Sequence, residues 1–164
     1  MKNIFFYQTN IGQIGIAESE NAITNLYFPG EPVSENVIVK ETEILKKAGN
    51  QLLAYLSGRQ STFTFPLAPN GTEFMQRVWK SLCAIPYGQT RSYQEIAQSI
   101  GNQKSARAVG LANHKNPLPI FIPCHRVIGA NGKLVGYRGG LPIKQHLLAL
   151  EQHYLNPINN PIKI

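Results

Sequence analysis

"SYQEIAQSIGNQKSARAVGLANHKNP", residues 92–117, decides how the chain folds. Ser92 stands just before an apolar-periodic run and Glu95 follows three residues on. That is a capping box, in which hydroxyl and carboxylate each satisfy an orphan N–H at the start of a helix. Gly101 supplies the left-handed residue that ends it. Asn102 starts a second helical run, which must stop before Pro117 because the residue ahead of a proline is pushed out of the helical region. Two short helices joined at Gly101-Asn102 predict a helix-turn-helix. The second carries Ala106, Ala108, Gly110 and Ala112, with Lys104, Arg107 and Lys115 beside them. Small residues let a backbone approach a partner closely, and the basic ones would meet phosphates. The same small residues would equally serve tight packing against another helix.

Working back from this pair, Thr72 caps a helix through Phe74, Val78, Trp79 and Leu82 that stops before Pro86. Phe74, Trp79 and Cys83 are expected in its core. FTFPLAPNG (63–71) is a proline-containing connector, and the charge changes sign across it. Residues 1–70 hold five Lys/Arg against six Glu, whereas residues 71–164 hold eleven against three. The chain therefore divides into an N-terminal lobe, 1–70, and a basic C-terminal lobe, 71–164. Such a lobe suits a polyanion partner, or else is simply a basic surface that confers solubility.

In the N-terminal lobe, NIFFYQT, QIGIAES and AITNLYF predict three strands, with turns at Asn10-Ile11-Gly12 and Glu20-Asn21. VIVKETEILKKAGNQLLAYLSG (37–58) places Ile38, Leu45, Leu52, Leu53 and Leu56 at helical spacing, with Gly49 weakening the middle. A small antiparallel sheet with a helix, followed by a mostly helical lobe, is an α+β fold.

Beyond Pro117, PLPIFIPCHRVI is broken by three prolines and cannot be a central strand. Val127-Ile128 and Leu134-Val135 predict a hairpin around Asn131-Gly132. Gly136, Gly139 and Gly140 predict a loop. Pro142 suits the first turn of a last helix, IKQHLLALEQHYL, and the tail NPINNPIKI is expected to fray. Glu151 falls within or beside the apolar face formed by Ile143, Leu147, Leu148, Leu150, Tyr154 and Leu155. It must be solvated at the edge, bound to a surface lysine, or paired inside.

The chain has 164 residues and no apolar run of membrane-spanning length. Its start lacks the features of a signal peptide. Two cysteines exclude a disulfide scaffold and favour an intracellular, cytoplasmic location. The histidines show no metal-ligand spacing, and His146 and His153 are expected at the surface.

Cys124 and His125 are adjacent, and neighbours in an extended chain point to opposite faces. Pro123 bends the chain, and if Cys124 opens a short helical turn the two could cooperate through a water. A thiol needs a base, and the base an orienting carboxylate. Cysteine hydrolysis and nucleophilic transfer both satisfy that pattern.

PCHRV, RAVGxAxxxNP and YxGGLxxKxxLLxxE, in this order and spacing over residues 72–151, resemble the O6-alkylguanine-DNA alkyltransferase (methylated-DNA–protein-cysteine methyltransferase) family. The resemblance implies direct DNA repair: one alkyl group passes from guanine O6, and also from thymine O4, to Cys124 in a single turnover without a cofactor. His125 would act as base and Glu151 would hold it. Tyr93 would give a proton to the departing guanine, and Asn116 would position the cysteine region. Arg107 would fill the stack left by the flipped base. The second helix would lie in the minor groove of double-stranded DNA through Ala106, Lys104, Ser105, Lys115 and Tyr93. Tyr137, Arg138, Val127, Pro119 and Gly139 would form the base pocket. The protein would act as a monomer, with no membrane and no metal, reaching the nucleoid in a prokaryote or working in the nucleus of a eukaryote. The chain departs from some members by lacking the Cys and His that bind zinc in the N-terminal lobe, and by carrying Arg138 where some have serine. Pro119, Gly139 and Gly140 suggest an open pocket that would accept groups as large as benzyl. Because relatives exist that bind alkylated DNA without repairing it, a non-catalytic binding module is the alternative.

Overall fold

The computed structural model describes residues 1–34 and 36–155, so the expected fraying of residues 156–164 lies outside the described part. The fold is α+β, and the described residues form two compact units, Met1–Asn70 and Gly71–Leu155.

In the first unit, β1 (Lys2–Thr9), β2 (Gly12–Ser19) and β3 (Ala22–Tyr27) form an antiparallel meander, paired from Asn3↔Glu18 to Thr9↔Gly12 and from Gly15↔Tyr27 to Ser19↔Ala22. Glu20 and Asn21 connect β2 to β3 with φ of 51° and 63°. Two successive positive φ values match the right-handed twist of the strands they join.

Residues 37–58 are not a single helix. Val37–Val39 is a fourth strand, β4, parallel to β1 from Lys2↔Val37 to Ile4↔Val39, and α1 spans Glu43–Leu56. The Thr42 hydroxyl accepts from the Leu45 N–H and starts the helix there, while Lys40 N–H continues the ladder to Ile4 O at 3.0 Å. Ile38 shares helical spacing with Leu45 only by coincidence. The sheet order is β3-β2-β1-β4, and α1 lays Leu45, Ala48, Leu52 and Leu56 into a core with Ile4, Ile14, Ile16 and Leu26. Gly49, a poor helix former, is explained by packing: a Cβ there would come within 2.5 Å of the Tyr7 ring.

In the second unit, α2 (Glu73–Cys83) begins at Thr72, whose hydroxyl accepts from Met75 N–H. Val78, Trp79 and Leu82 are buried, and Phe74 is half-buried. Cys83 is exposed rather than in the core. It follows Leu82 by one residue and is turned about 100° off the buried face.

α3 (Tyr93–Ser99) opens with the full capping box of Ser92 and Glu95, and Gly101, at φ 78°, ends it. α4 (Ala106–His114) starts later than expected, after Ser105, because residues 102–105 form a turn in which Ser105 N–H and hydroxyl both donate to Asn102 O. Trp79 Nε1 donates to Ala112 O at 2.9 Å, which pins α4 to α2. Val109 and Ala112 are buried, whereas Arg107, Ala108, Leu111 and Lys115 face solvent. Packing therefore accounts for Ala112, and close approach to a partner remains open for the outer face.

The expected hairpin at Asn131-Gly132 does not form. Gly129 and Lys133 close a tight turn, but β6 (Val127–Ile128) pairs in parallel with β5 (Arg91–Ser92), as Arg91↔Val127 and Ser92↔Ile128. Side chains take the carbonyls instead: Lys144 Nζ reaches Val127 O at 2.6 Å and Val135 O at 3.0 Å. The last helix, α5 (Leu141–His153), has Pro142 in its first turn. Among the described residues, no helix is long and apolar enough to cross a membrane.

Candidate active site

The parallel β5–β6 pair brings the start of α3 beside the segment that follows Pro123, so Tyr93 and Cys124 line one cleft. The segment from Asn116 to Pro123 is tightly determined. The Asn116 side chain donates through Nδ2 to Ile122 O at 2.9 Å and accepts at Oδ1 from Leu118 N–H at 2.9 Å. Between them Ile120 has φ 74°, a strained conformation for a β-branched residue that persists only where the surroundings impose it.

Cys124, His125 and Arg126 form one 3₁₀ turn, with Arg126 N–H donating to Pro123 O. A turn rotates successive side chains around an axis, which removes the opposite-faces problem of an extended Cys-His pair. All three side chains are buried.

His125 Nε2 lies 2.7 Å from Glu151 Oε2. Arg126 donates from Nε to Oε1 at 2.8 Å and from Nη2 to Oε2 at 2.9 Å, while Gly88 N–H donates to Oε1 at 3.0 Å. Glu151, 1% exposed, is therefore the inward-paired carboxylate and not an edge residue. Burial works against its charge, but the hydrogen bonds and charges of His125 and Arg126 outweigh it and hold the carboxyl well below the usual carboxylate range. Burial pushes the His125 imidazole down and keeps it neutral despite Glu151. With the carboxylate ionised, the ring carries its hydrogen on Nε2 and its basic lone pair on Nδ1, a tautomer assigned from this bond.

Burial raises the Cys124 thiol, opposed by the Asn116 side chain and by the charges of Lys144 and Arg138. The resting pair is a protonated thiol beside a neutral imidazole. Burial also raises the Tyr93 phenol, as does its proximity to Cys124. The phenol keeps its proton and donates it to Val135 O at 3.0 Å.

The cleft is small, about 50 Å³, and is lined by Tyr93, Gly110, Asn113, His114, Cys124, Gly136, Tyr137 and Arg138. Of the expected pocket residues, Tyr137 and Arg138 line it; Val127, Pro119 and Gly139 do not. Val127 and Pro119 are buried. The expectation of an open pocket is not met by a cleft of this volume; Arg138, which lines it, donates from Nη1 to Asn116 O at 2.6 Å. On α4, Arg107, Lys104 and Lys115 are exposed, Ala106 is half-buried, and Ser105 is turned inward.

Three residues near the site carry no role in the reading of the sequence. Arg126 stood within the motif without a role. Asn113 falls at an open position of RAVGxAxxxNP, and it lines the cleft. Lys144, 1% exposed, joins Val127 O, Val135 O and Gly136 O (3.2 Å to the last), tying the cleft loop to β6. Its signal was spacing: Lys144, Leu147 and Glu151 share one stripe of α5. Among the described residues, no group of three or more His, Cys, Asp or Glu could hold a metal ion.

Residues 73–153 match the family model of the 6-O-methylguanine DNA methyltransferase DNA binding domain, and residues 5–69 match that of its ribonuclease-like domain. The chain belongs to the 6-O-methylguanine DNA methyltransferase family. A methylated-DNA–protein-cysteine methyltransferase of Methanosarcina barkeri is 48% identical over 151 residues, spanning 90% of this chain and 96% of that one. The constitutive enzyme of that name from Bacillus subtilis is 46% identical over 152 residues, 88% of this chain and 92% of that one. Among family members of known structure, Mycobacterium tuberculosis OGT in complex with DNA superposes with a TM-score of 0.88 at 44% identity, covering 93% of this chain and 94% of that one.

Proposed function

We propose that this methyltransferase repairs alkylated DNA by moving the alkyl group from guanine O6, and also from thymine O4, to its own Cys124. The observation that carries the reading is the buried run Cys124–His125–Glu151, in which a neutral imidazole oriented by an ionised carboxylate stands next in sequence to a thiol at a cleft.

The target carbon lies within the base stack, so the nucleotide is extruded into the cleft. His125, acting through a water, takes the thiol proton. Sulfur attacks the alkyl carbon; the S–C bond forms as the C–O6 bond breaks and its electrons pass into the purine. Tyr93 leaves Val135 and protonates the departing guanine, and the proton that His125 took from the thiol passes back through water to the tyrosinate, so that imidazole and phenol both end neutral. Lys144 and Arg138 favour the developing thiolate over the neutral thiol. Asn116 positions the Cys124 segment, and Arg126 positions Glu151. The thioether has no route back, which sets one turnover per molecule.

The exposed face of α4 enters the minor groove of duplex DNA, where little base sequence is displayed. Arg107 fills the vacated stack, and Lys104 and Lys115 meet phosphates. The protein binds as a monomer.

The test is an intact mass after mixing stoichiometric protein with duplex containing O6-methylguanine. A gain of one methyl group, mapped to the Cys124 peptide, is expected. Binding without any mass change would instead identify a non-catalytic lesion binder.

A further inference from the structure

The exposed face of α4 carries one residue that phosphate contact does not explain. Leu111 is 54% exposed. The residues three and four positions to either side of it, Arg107, Ala108, His114 and Lys115, are exposed as well. On a helix those four positions surround a single side chain. Leu111 therefore stands at the centre of the outer face, an apolar middle inside a largely basic rim. Rolling the helix to hide it would expose Val109 and Ala112, which are buried, and break the bond from Trp79 Nε1 to Ala112 O. A lone leucine at a surface is ordinary. At the midpoint of a basic face it is the first group to meet whatever polyanion that face meets. A duplex groove offers matching chemistry, with phosphates along its edges and deoxyribose carbons on its walls.

We infer that Leu111 is an apolar wedge that makes repair depend on the sequence flanking the lesion, favouring deformable flanks over stiff ones with a narrow minor groove. The inference rests on the reading of α4 as the helix that enters the minor groove. That groove is about 6 Å wide in B-form DNA, whereas a helix with its side chains is about 10–12 Å across. The groove must therefore open to seat α4. A small residue at the leading point asks for the least opening; a branched aliphatic side chain asks for more. The cost of opening is set by the DNA: A-tracts are stiff and narrow, whereas TA and CA steps yield easily. Charge pulls the other way, because the narrow groove of an A-tract has enhanced negative potential and attracts Arg107 and Lys115. The two kinds of side chain on this face thus prefer opposite flanks, and Leu111 decides between them. Sequence enters through the shape of the groove, with no base edge read.

The experiment sets two duplexes of equal length and base composition in competition for limiting protein. Each holds one O6-methylguanine, flanked in one by A-tracts and in the other by TA and CA steps, and the demethylated strand of each is counted. Wild type is compared with Leu111→Ala, which removes the wedge at an exposed helical position, and with Leu111→Met, which keeps its bulk. Wild type should repair the lesion in flexible flanks about tenfold faster, near the low end of what deforming a DNA site costs. The ratio should fall to about one or below in Leu111→Ala and stay near the wild-type value in Leu111→Met. Flexible flanks also ease base extrusion, but that contribution is common to all three proteins, so the change on Leu111→Ala isolates the wedge. The ratio is internal to each sample, so partial unfolding of a variant cannot imitate the result. A wild-type ratio near one, a preference that persists in Leu111→Ala, or a Leu111→Met that behaves as Leu111→Ala overturns the inference while leaving alkyl transfer intact. If wild type demethylates neither duplex, the repair reading itself falls, and the inference with it.

Discussion

Arg126 grips both oxygens of Glu151, Nε on Oε1 at 2.8 Å and Nη2 on Oε2 at 2.9 Å, and the second of these oxygens is the one His125 also holds. Arg126 Nη1 donates to Ile85 O at 2.7 Å, so the fork is itself anchored. A bidentate guanidinium fixes the plane of a carboxylate as a point charge would not. Glu151 thereby presents Oε2 to the imidazole in one orientation.

Removing this grip should be expensive. Arg126→Leu leaves a buried carboxylate with its main counter-charge gone, and breaking one side of a buried pair destabilises by about 3–5 kcal/mol. Urea unfolding at neutral pH should show a loss of that order. A loss within about 0.5 kcal/mol, typical of surface substitutions, would mean that the pair carries little weight.

Stability should peak in a bounded pH range. His125 is held neutral below its ordinary value, so under acid the unfolded chain binds a proton that the folded one refuses; stability falls as pH drops below about 6.5. Glu151, also depressed, adds a second loss below about 4.3. Cys124 is raised, so above about 8.5 the unfolded thiol ionises first and stability falls as pH rises. Urea midpoints across this range should trace a maximum between the two limbs. The alkaline limb should shrink in Cys124→Ala. Rising stability from pH 7 to 5 would contradict the assignment of a neutral buried imidazole.

Local signals carried much of this structure. The capping box at Ser92 and Glu95, the stop at Gly101 and the caps at Thr72 and Pro142 each depend on neighbouring residues alone, and each lies where the sequence places it. The missed features are non-local. β4 exists because β1 offers it a parallel edge, which no periodicity in residues 37–39 reveals. The hairpin at Asn131-Gly132 has a sound turn but loses its ladder to Lys144, a side chain on a helix further along the chain. Burial of Glu151 was undecidable while its partners, Arg126 and Gly88, could not be placed beside it. The wall of the cleft includes Arg138, held by Asn116 O, again a contact across the chain.

A cleft of about 50 Å³ with Arg138 in its wall implies selection by size. Wild type should react with O6-methylguanine in preference to O6-benzylguanine, since forcing extra volume into a small cleft is unfavourable. Arg138→Ser should shift the benzyl-to-methyl rate ratio upward by about tenfold, a change equivalent to about 1.4 kcal/mol. Competition with the two free bases, read by mass, measures it. An unchanged ratio would show that Arg138 moves aside at no cost.

Arg107 is exposed on α4 and is not among the residues that line the cleft at Cys124. Arg107→Ala should slow transfer from duplex DNA by about tenfold or more, because extrusion costs a few kcal/mol that an inserted side chain helps offset. Transfer from the free base should be unaffected. Equal losses on both substrates would argue against insertion into the stack. Wild-type affinity for duplex should also fall steeply with salt as Lys104 and Lys115 release counterions.

The most direct test of the relay is single-turnover methyl transfer to Cys124 in wild type and in Glu151→Gln, with circular dichroism verifying that the variant is folded. The amide can still bond His125 but can no longer stabilise a positively charged ring, so the rate should drop by about 10²–10⁴. All the methyl that appears in either protein should map to Cys124. A folded Glu151→Gln that transfers at the wild-type rate, or methyl found on another residue, would contradict the account.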